Sequence, residues 1–329
     1  MSDGSSLLPG CEASTRHGNR HVPGWKTALI RAAALLALCT PLSAGAQDDA
    51  EVAYIGSEIC MACHQGPAQE WAHTVHARVF MGEPRNDVEA RGCESCHGPG
   101  GRHRTNPVDK ATIIRFTEGS PTPVPEQNGM CLQCHSGGDR LHWVSSMHER
   151  QDVACSDCHN PMARFSESGL LAQPTINETC FGCHKTQRSE FSRRSHMPLL
   201  EGKLTCIDCH NPHGSMTDPL LRTDTVNETC YTCHAEKRGP FLFEHAPVTD
   251  SCMNCHQPHG SNHDKLLVTA RPILCQQCHT SVGHMNDMLV QGNLASGSQP
   301  DARAVGRSCQ NCHAQVHGSN HPSGSKLHR

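Results

Sequence analysis

Residues 177–184 read NETCFGCH, and residues 206–215 read CIDCHNPHGS. The pattern then returns as NETCYTCH at 227–234 and CMNCHQPHGS at 252–261. Between the halves of each copy lies one more histidine, in Ser195-His196-Met197-Pro198 and then in Glu244-His245-Ala246-Pro247. Each copy therefore holds two Cys-x-x-Cys-His motifs and two further imidazoles. A two-residue spacer lets both thiols reach one planar group from a single turn, and the adjacent imidazole then meets a metal at its centre. That is the attachment signature of c-type haem, with the extra histidines available as second axial ligands.

Working outward, the motif occurs ten times. The cysteine pairs are Cys60 and Cys63, Cys93 and Cys96, Cys131 and Cys134, Cys155 and Cys158, Cys180 and Cys183, Cys206 and Cys209, Cys230 and Cys233, Cys252 and Cys255, Cys275 and Cys278, and Cys309 and Cys312. The histidines that follow are His64, His97, His135, His159, His184, His210, His234, His256, His279 and His313. Zinc ribbons also use paired cysteines, but zinc has no need of a histidine after every pair. With His at 26 of 329 positions, ten in ten is not chance. The expected cofactor is ten covalently bound haem c.

The spacing is periodic, which decides the architecture. Two-haem units start near residues 60, 131, 180, 230 and 275, and the last four starts are 49, 50 and 45 residues apart. The first unit is longer, at 71 residues, and its proline-bearing insertion around 105–127 reads as a loop. No stretch alternates as a sheet would. The expected fold is a multihaem cytochrome c, mostly coil with short helices and little or no sheet. Asn177 and Asn227 are expected as N-caps of the turns that carry the cysteines.

Composition agrees. Apolar residues make up 36% of the chain and aromatics 4%, with 28 Gly and 21 Pro. Side chains alone cannot build an ordinary core from that, so the porphyrins are expected to supply it. Residues 1–46 read as an export signal. Arg16, Arg20, Lys26 and Arg31 flank a short apolar run, and Ala44-Gly45-Ala46 fits small-residue cleavage before Gln47. Cys39 follows a large residue, which suits lipidation poorly, and Cys11 and Cys39 would leave with the signal. Its removal takes two acidic and four basic residues and moves the net charge from −4 to −6. No concentrated basic face calls for nucleic acid. Residues 47–329 are then an electron-transfer domain in a periplasmic or equivalent exported space.

Ten irons need ten distal ligands. The first motif of each unit is followed at a distance by His76, His148, His196, His245 or, closer in, His284. The second is followed nearby by His103, Met162, His213, His259 or His317. An imidazole three residues after the proximal one is badly placed to cross the same porphyrin. These ligands are expected to reach neighbouring haems and tie the units together, with the neighbour left open by the sequence. Met162 stands in CHNPM where later units have CHNPH and CHQPH. Either it ligates, which raises one haem's potential relative to bis-histidine sites, or it packs and His142 takes its place. His73, His142, His263, His321 and His328 are left over for surface or supporting roles. Irons closed on both sides have no position for a substrate, which favours electron transfer over catalysis. No motif is the CxxCK of multihaem nitrite and hydroxylamine enzymes.

The segments CHNPHGSMTD at 209–218, CHAEKRGP at 233–240, EHAPVT at 244–249, LCQQCH at 274–279 and the ending GRSCQNCHAQVHGSNHPSG resemble the MtrA/DmsE family of periplasmic decahaem cytochromes. The likeness runs over nearly all of the mature chain. It implies an elongated haem chain inserted in an outer-membrane β-barrel porin. Implied partners are a periplasmic or inner-membrane cytochrome donor and an outer-surface multihaem cytochrome or terminal reductase. It also implies bis-histidine ligation by His76, His103, His148, His196, His213, His245, His259, His284 and His317, from which Met162 departs.

Overall fold

The computed structural model describes residues 53–279 and 308–328. The expected export signal at 1–46 and the expected ligand His284 lie outside the described residues. Cysteines at i and i+3 with a histidine at i+4 share one face of a helical turn, and the chain forms that turn at each motif. In all ten the histidine N–H donates to the carbonyl of the first cysteine, at 2.9–3.1 Å. The turn ends a short helix in the first motif of each unit: Ser57–Cys63, Val124–Leu132, Ile176–Phe181, Val226–Tyr231 and Ile273–Gln276. In the second motif it is one helical turn, Glu94–His97 or Cys155–Cys158, or a 3₁₀ turn, Cys206–Asp208, Cys252–Asn254 or Cys309–Asn311. The described residues form no sheet, only isolated bridges.

The N-caps are not where the sequence reading put them. Thr175 and Thr225 cap their helices, accepting from Glu178 N and Glu228 N at 3.1 Å each. Asn177 and Asn227 lie one residue inside the helix. Their side-chain oxygens accept from Cys206 N at 3.0 Å and Cys252 N at 2.8 Å, and their amides donate to the loop between the two motifs. The same position, three residues before a unit's first cysteine, is Asn128 in the second unit, accepting from Cys155 N at 2.8 Å. In the first unit it is Ser57, accepting from Cys93 N at 3.0 Å. In the last it is Pro272, which has no such oxygen, and there Arg271 bonds Gln310 instead. The insertion of the first unit is irregular apart from the 3₁₀ turn Lys110–Thr112, until Val124 opens a helix inside its expected end.

The apolar interior is small. Phe181, Phe191 and Leu199 form a buried cluster with Met197, Leu204 and Cys206 against it. Buried polar side chains such as Glu94, Asn128, Asn227 and Ser261 are as prominent as buried apolar ones. The Glu94 carboxylate alone accepts from Ile55 N at 2.9 Å, Gly56 N at 2.9 Å and Gly100 N at 2.8 Å. Such bonds satisfy buried groups and set geometry, while giving little of the transfer energy of an apolar core.

After the second motif of each middle unit the chain turns back on itself. Asn160 N, Asn211 N and Gln257 N donate to the carbonyls of Leu170, Leu220 and Leu266, at 2.6, 2.7 and 2.7 Å. All three leucines adopt left-handed φ, between 48° and 59°. Bridges His159–Leu171, His210–Leu221 and His256–Leu267 close the loops. Successive units are joined by further bridges, Ser195–Ser261 and Phe243–Ser319.

Candidate haem sites

The loop carbonyls orient the proximal histidines of the second motifs. Nδ1 of His97, His159, His210, His256 and His313 donates to the carbonyls of Ile114, Gly169, Pro219, Lys265 and Lys326, at 2.6–2.9 Å. A carbonyl can only accept, so the proton sits on Nδ1 and Nε2 is left as the metal donor. Burial lowers the pKa of His76, His97, His135, His213, His259 and His317. Each is held as the neutral imidazole that a metal requires.

Seven imidazole pairs face each other at nearly one separation. Ring centroids are 6.0 Å apart for His64 and His103, 5.9 Å for His76 and His135, and 6.2 Å for His148 and His184. The others are His159 and His213 at 6.0 Å, His210 and His259 at 6.1 Å, His245 and His279 at 6.0 Å, and His256 and His317 at 6.2 Å. Two imidazoles on opposite sides of one metal, with metal–nitrogen bonds of about 2 Å, put their centroids about 6 Å apart. Each pair joins one motif histidine to one of the further histidines. Among the described residues no three of His, Cys, Asp and Glu converge to hold an ion by themselves. The cysteine pairs and facing imidazoles would suit a haem, which would supply the iron's other four bonds itself.

The pairs also say which neighbour is reached. His76, His148 and His245, from first motifs, face His135, His184 and His279 of the following unit. His213, His259 and His317, from second motifs, face His159, His210 and His256 of the preceding unit. His64 has no unit before it and faces His103 of its own. The sequence names these histidines but leaves open which neighbour each one reaches; the facing rings supply the direction.

Three expected ligands are not in such a pair. His196 turns Nδ1 to Arg193 O at 2.6 Å and Nε2 to Glu201 at 3.0 Å. Met162 is half-buried, its N–H held by Asn160 at 2.9 Å. His284 is outside the described residues. The leftover histidines have other roles. The His142 carbonyl packs on Gly214, and the His328 ring lies 4.5 Å from His313, too close for a metal between them.

The thiols, standing where thioether sulfurs would be, neighbour one another in sequence order. None of the twenty described cysteines is in a disulfide. Within units, the first cysteines of the two motifs lie close enough for their thiols to interact: Cys60 with Cys93, Cys131 with Cys155, Cys180 with Cys206, Cys230 with Cys252, and Cys275 with Cys309. Between units, the second cysteines lie within electrostatic reach of one another: Cys96 and Cys134, Cys158 and Cys183, Cys209 and Cys233, and Cys255 and Cys278. Burial, with these neighbours adding, pushes the thiols of Cys60, Cys96 and Cys158 up to about 11.

Known proteins carry the same features. Residues 196–239 and 245–284 match the doubled CXXCH motif, and residues 93–170 match the NrfB-like c-type cytochromes. The chain is 44% identical over 276 residues to Multiheme cytochrome MtrA of Shewanella baltica, covering 83% of this chain and 81% of the relative. An undecahaem cytochrome from the S-layer of Carboxydothermus ferrireducens aligns at 16% identity and a TM-score of 0.12, over 72% of this chain and 32% of that one.

Proposed function

The chain belongs to the MtrA family of multihaem c-type cytochromes, electron-transfer proteins rather than enzymes, and we propose that it is a ten-haem wire between the periplasm and the outer cell surface. Haem c, when bound, supplies a one-electron couple whose potential follows its axial ligands and surroundings. The polypeptide does the rest. Ten cysteine pairs fix the macrocycles, five loop carbonyls aim proximal imidazoles, and distal ligands from neighbouring units close the opposite faces. By the same exchange, His196 serves the iron of His234. His284 closes the last unit on the iron of His313, as His103 closes the first on that of His64.

The observation that carries this reading is the set of seven facing imidazole pairs, with the cysteines neighbouring one another in the same order, first cysteines within units and second cysteines between them. Attached macrocycles then follow one another in single file from Cys60 to Cys312. With both faces of every iron taken, no coordination site is left for a substrate. Residues 1–46 serve as the export signal and 47–329 as the ten-haem domain. Among the described residues no helix is long and apolar enough to cross a membrane, and we assign the crossing to a β-barrel porin around the chain. Donor and acceptor are a periplasmic or inner-membrane cytochrome and an outer-surface cytochrome or terminal reductase.

The test is to purify the holoprotein with its barrel and place the complex in liposomes holding an oxidised dye, with a reductant outside. Dye reduction that needs both proteins, from a chain with ten covalent haems, is the expected result. Ten haems with no barrel co-purifying would make the protein a soluble periplasmic shuttle. Far fewer than ten haems would overturn the wire.

A further inference from the structure

We infer that Met162 supplies the sixth bond to the iron held by His97, so that the second haem of the file is the one methionine-ligated site. The inference rests on the haem proposed at Cys93, Cys96 and His97, and adds which iron the thioether takes.

The loop that carries Met162 is built like the loop that carries His213. Asn160 Oδ1 accepts from Met162 N at 2.9 Å, as Asn211 Oδ1 accepts from His213 N at 3.2 Å. Asn160 N and Asn211 N donate to left-handed Leu170 and Leu220, at 2.6 and 2.7 Å. His159 and His210 each donate Nδ1 to the carbonyl just before that leucine, at 2.7 Å. The frame is the same, and only the side chain it presents has changed. In three successive cases the residue in this frame faces the second-motif histidine of the preceding unit: His213 to His159, His259 to His210, His317 to His256. One step back along the series, Met162 meets His97.

The count leaves it no other iron. Seven irons have facing imidazoles. The exchange gives His196 to the iron of His234, because first-motif ligands reach forward, and His284 is given to that of His313 by analogy with His103, which faces His64 within the first unit. His97 remains. Its ring is half-buried, Nδ1 is fixed on Ile114 O at 2.8 Å, and the Phe116 ring packs edge-to-face with centroids 5.4 Å apart. An uncharged sulfur donor is compatible with such a site, and histidine–methionine ligation raises the potential relative to bis-histidine neighbours. The first electron to enter the file then rests on its second member.

The residue after Met162 has changed with it. Gly214, Gly260 and Gly318 follow the three histidines at φ +113°, +145° and +124°. A Cβ there would overlap the His142 carbonyl, the Glu190 carbonyl and the Phe241 ring, respectively. Met162 is instead followed by buried Ala163. The thioether is longer and more flexible than an imidazole, so its reach depends less on the close backbone approach that the glycines permit.

The test uses the full holoprotein and two variants, Met162→His and Met162→Leu. Mass spectrometry first establishes whether the peptide with Cys93 and Cys96 carries haem; if it does not, the ten-haem reading and this inference fall together. With that haem present, the oxidised wild type is expected to show a far-red sulfur-to-iron band at one-tenth of the haem content. In a dithionite titration, that haem should be the first reduced. Met162→His should abolish the band and the early step while binding no carbon monoxide. Met162→Leu should raise carbon monoxide binding from none to one per protein. A holoprotein structure should place Met162 Sδ on the iron of His97. A haem-bearing peptide with no far-red band, a band that survives Met162→His, or a sulfur bound to another iron overturns the inference and leaves the wire standing.

Discussion

The junction of the second and third units and that of the first and second are made from the same loop and come out differently. At the former, His213 faces His159, Gly214 lets the loop close on the His142 carbonyl, and His148 Nδ1 donates to Pro212 O at 2.7 Å. The fourth and fifth units repeat that last bond, with His245 donating to Val316 O at 2.9 Å. At the first junction the loop carries Met162 and Ala163, and His76 Nδ1 is buried without a hydrogen-bond partner. The backbone frame is the same with either side chain, while the glycine whose Cβ would overlap a neighbouring carbonyl is replaced by a buried alanine at the first junction. The side chain the loop presents and the residue after it thus differ together.

The largest effect should come from removing a ligand at a tight junction. His213→Ala opens the iron of His159, and carbon monoxide binding should rise from none to one per protein; an unchanged value would break the pairing of those rings. Next is the glycine. Gly214→Ala brings a Cβ onto a backbone carbonyl at left-handed φ and should cost at least about 2 kcal/mol in thermal unfolding. Ala163→Gly, at the first junction, should change stability by about 1 kcal/mol or less. Equal effects of the two would erase the distinction drawn here. Within a unit, Asn177→Ala leaves the Cys206 N–H without its acceptor and should cost about 1–3 kcal/mol. The smallest is Thr175→Ala, about 1 kcal/mol for a lost helix cap. If Thr175→Ala proved worse than Asn177→Ala, the asparagine's bond to Cys206 N would not be what holds the two motifs of the unit together.

That exchange of roles shows what the sequence could and could not disclose. The Cys-x-x-Cys-His turns were legible because their chemistry is written within five consecutive residues. So was the scarcity of sheet, since nothing alternates. Asn177 looked like a cap because it opens NETC, a local pattern. Its actual partner, Cys206 N, is 29 residues away, and no local pattern encodes that. One signal was available: Asn128, Asn177 and Asn227 all stand three residues before a unit's first cysteine. The candidate distal histidines could be enumerated by counting, but not paired, because contacts such as that of His148 with Pro212 span 64 residues. Distances of that size are settled by how whole units stack.

The crossed imidazoles bear on how such a molecule is put together. A middle unit cut free would keep both motif histidines and the facing imidazole of neither, because the partners come from its neighbours; the first keeps His103 for His64. Cutting the chain before Cys275 would strand His245 and bare the iron of His256. The five units are links of mail rather than beads on a string, and the shortest piece that closes on itself is the whole.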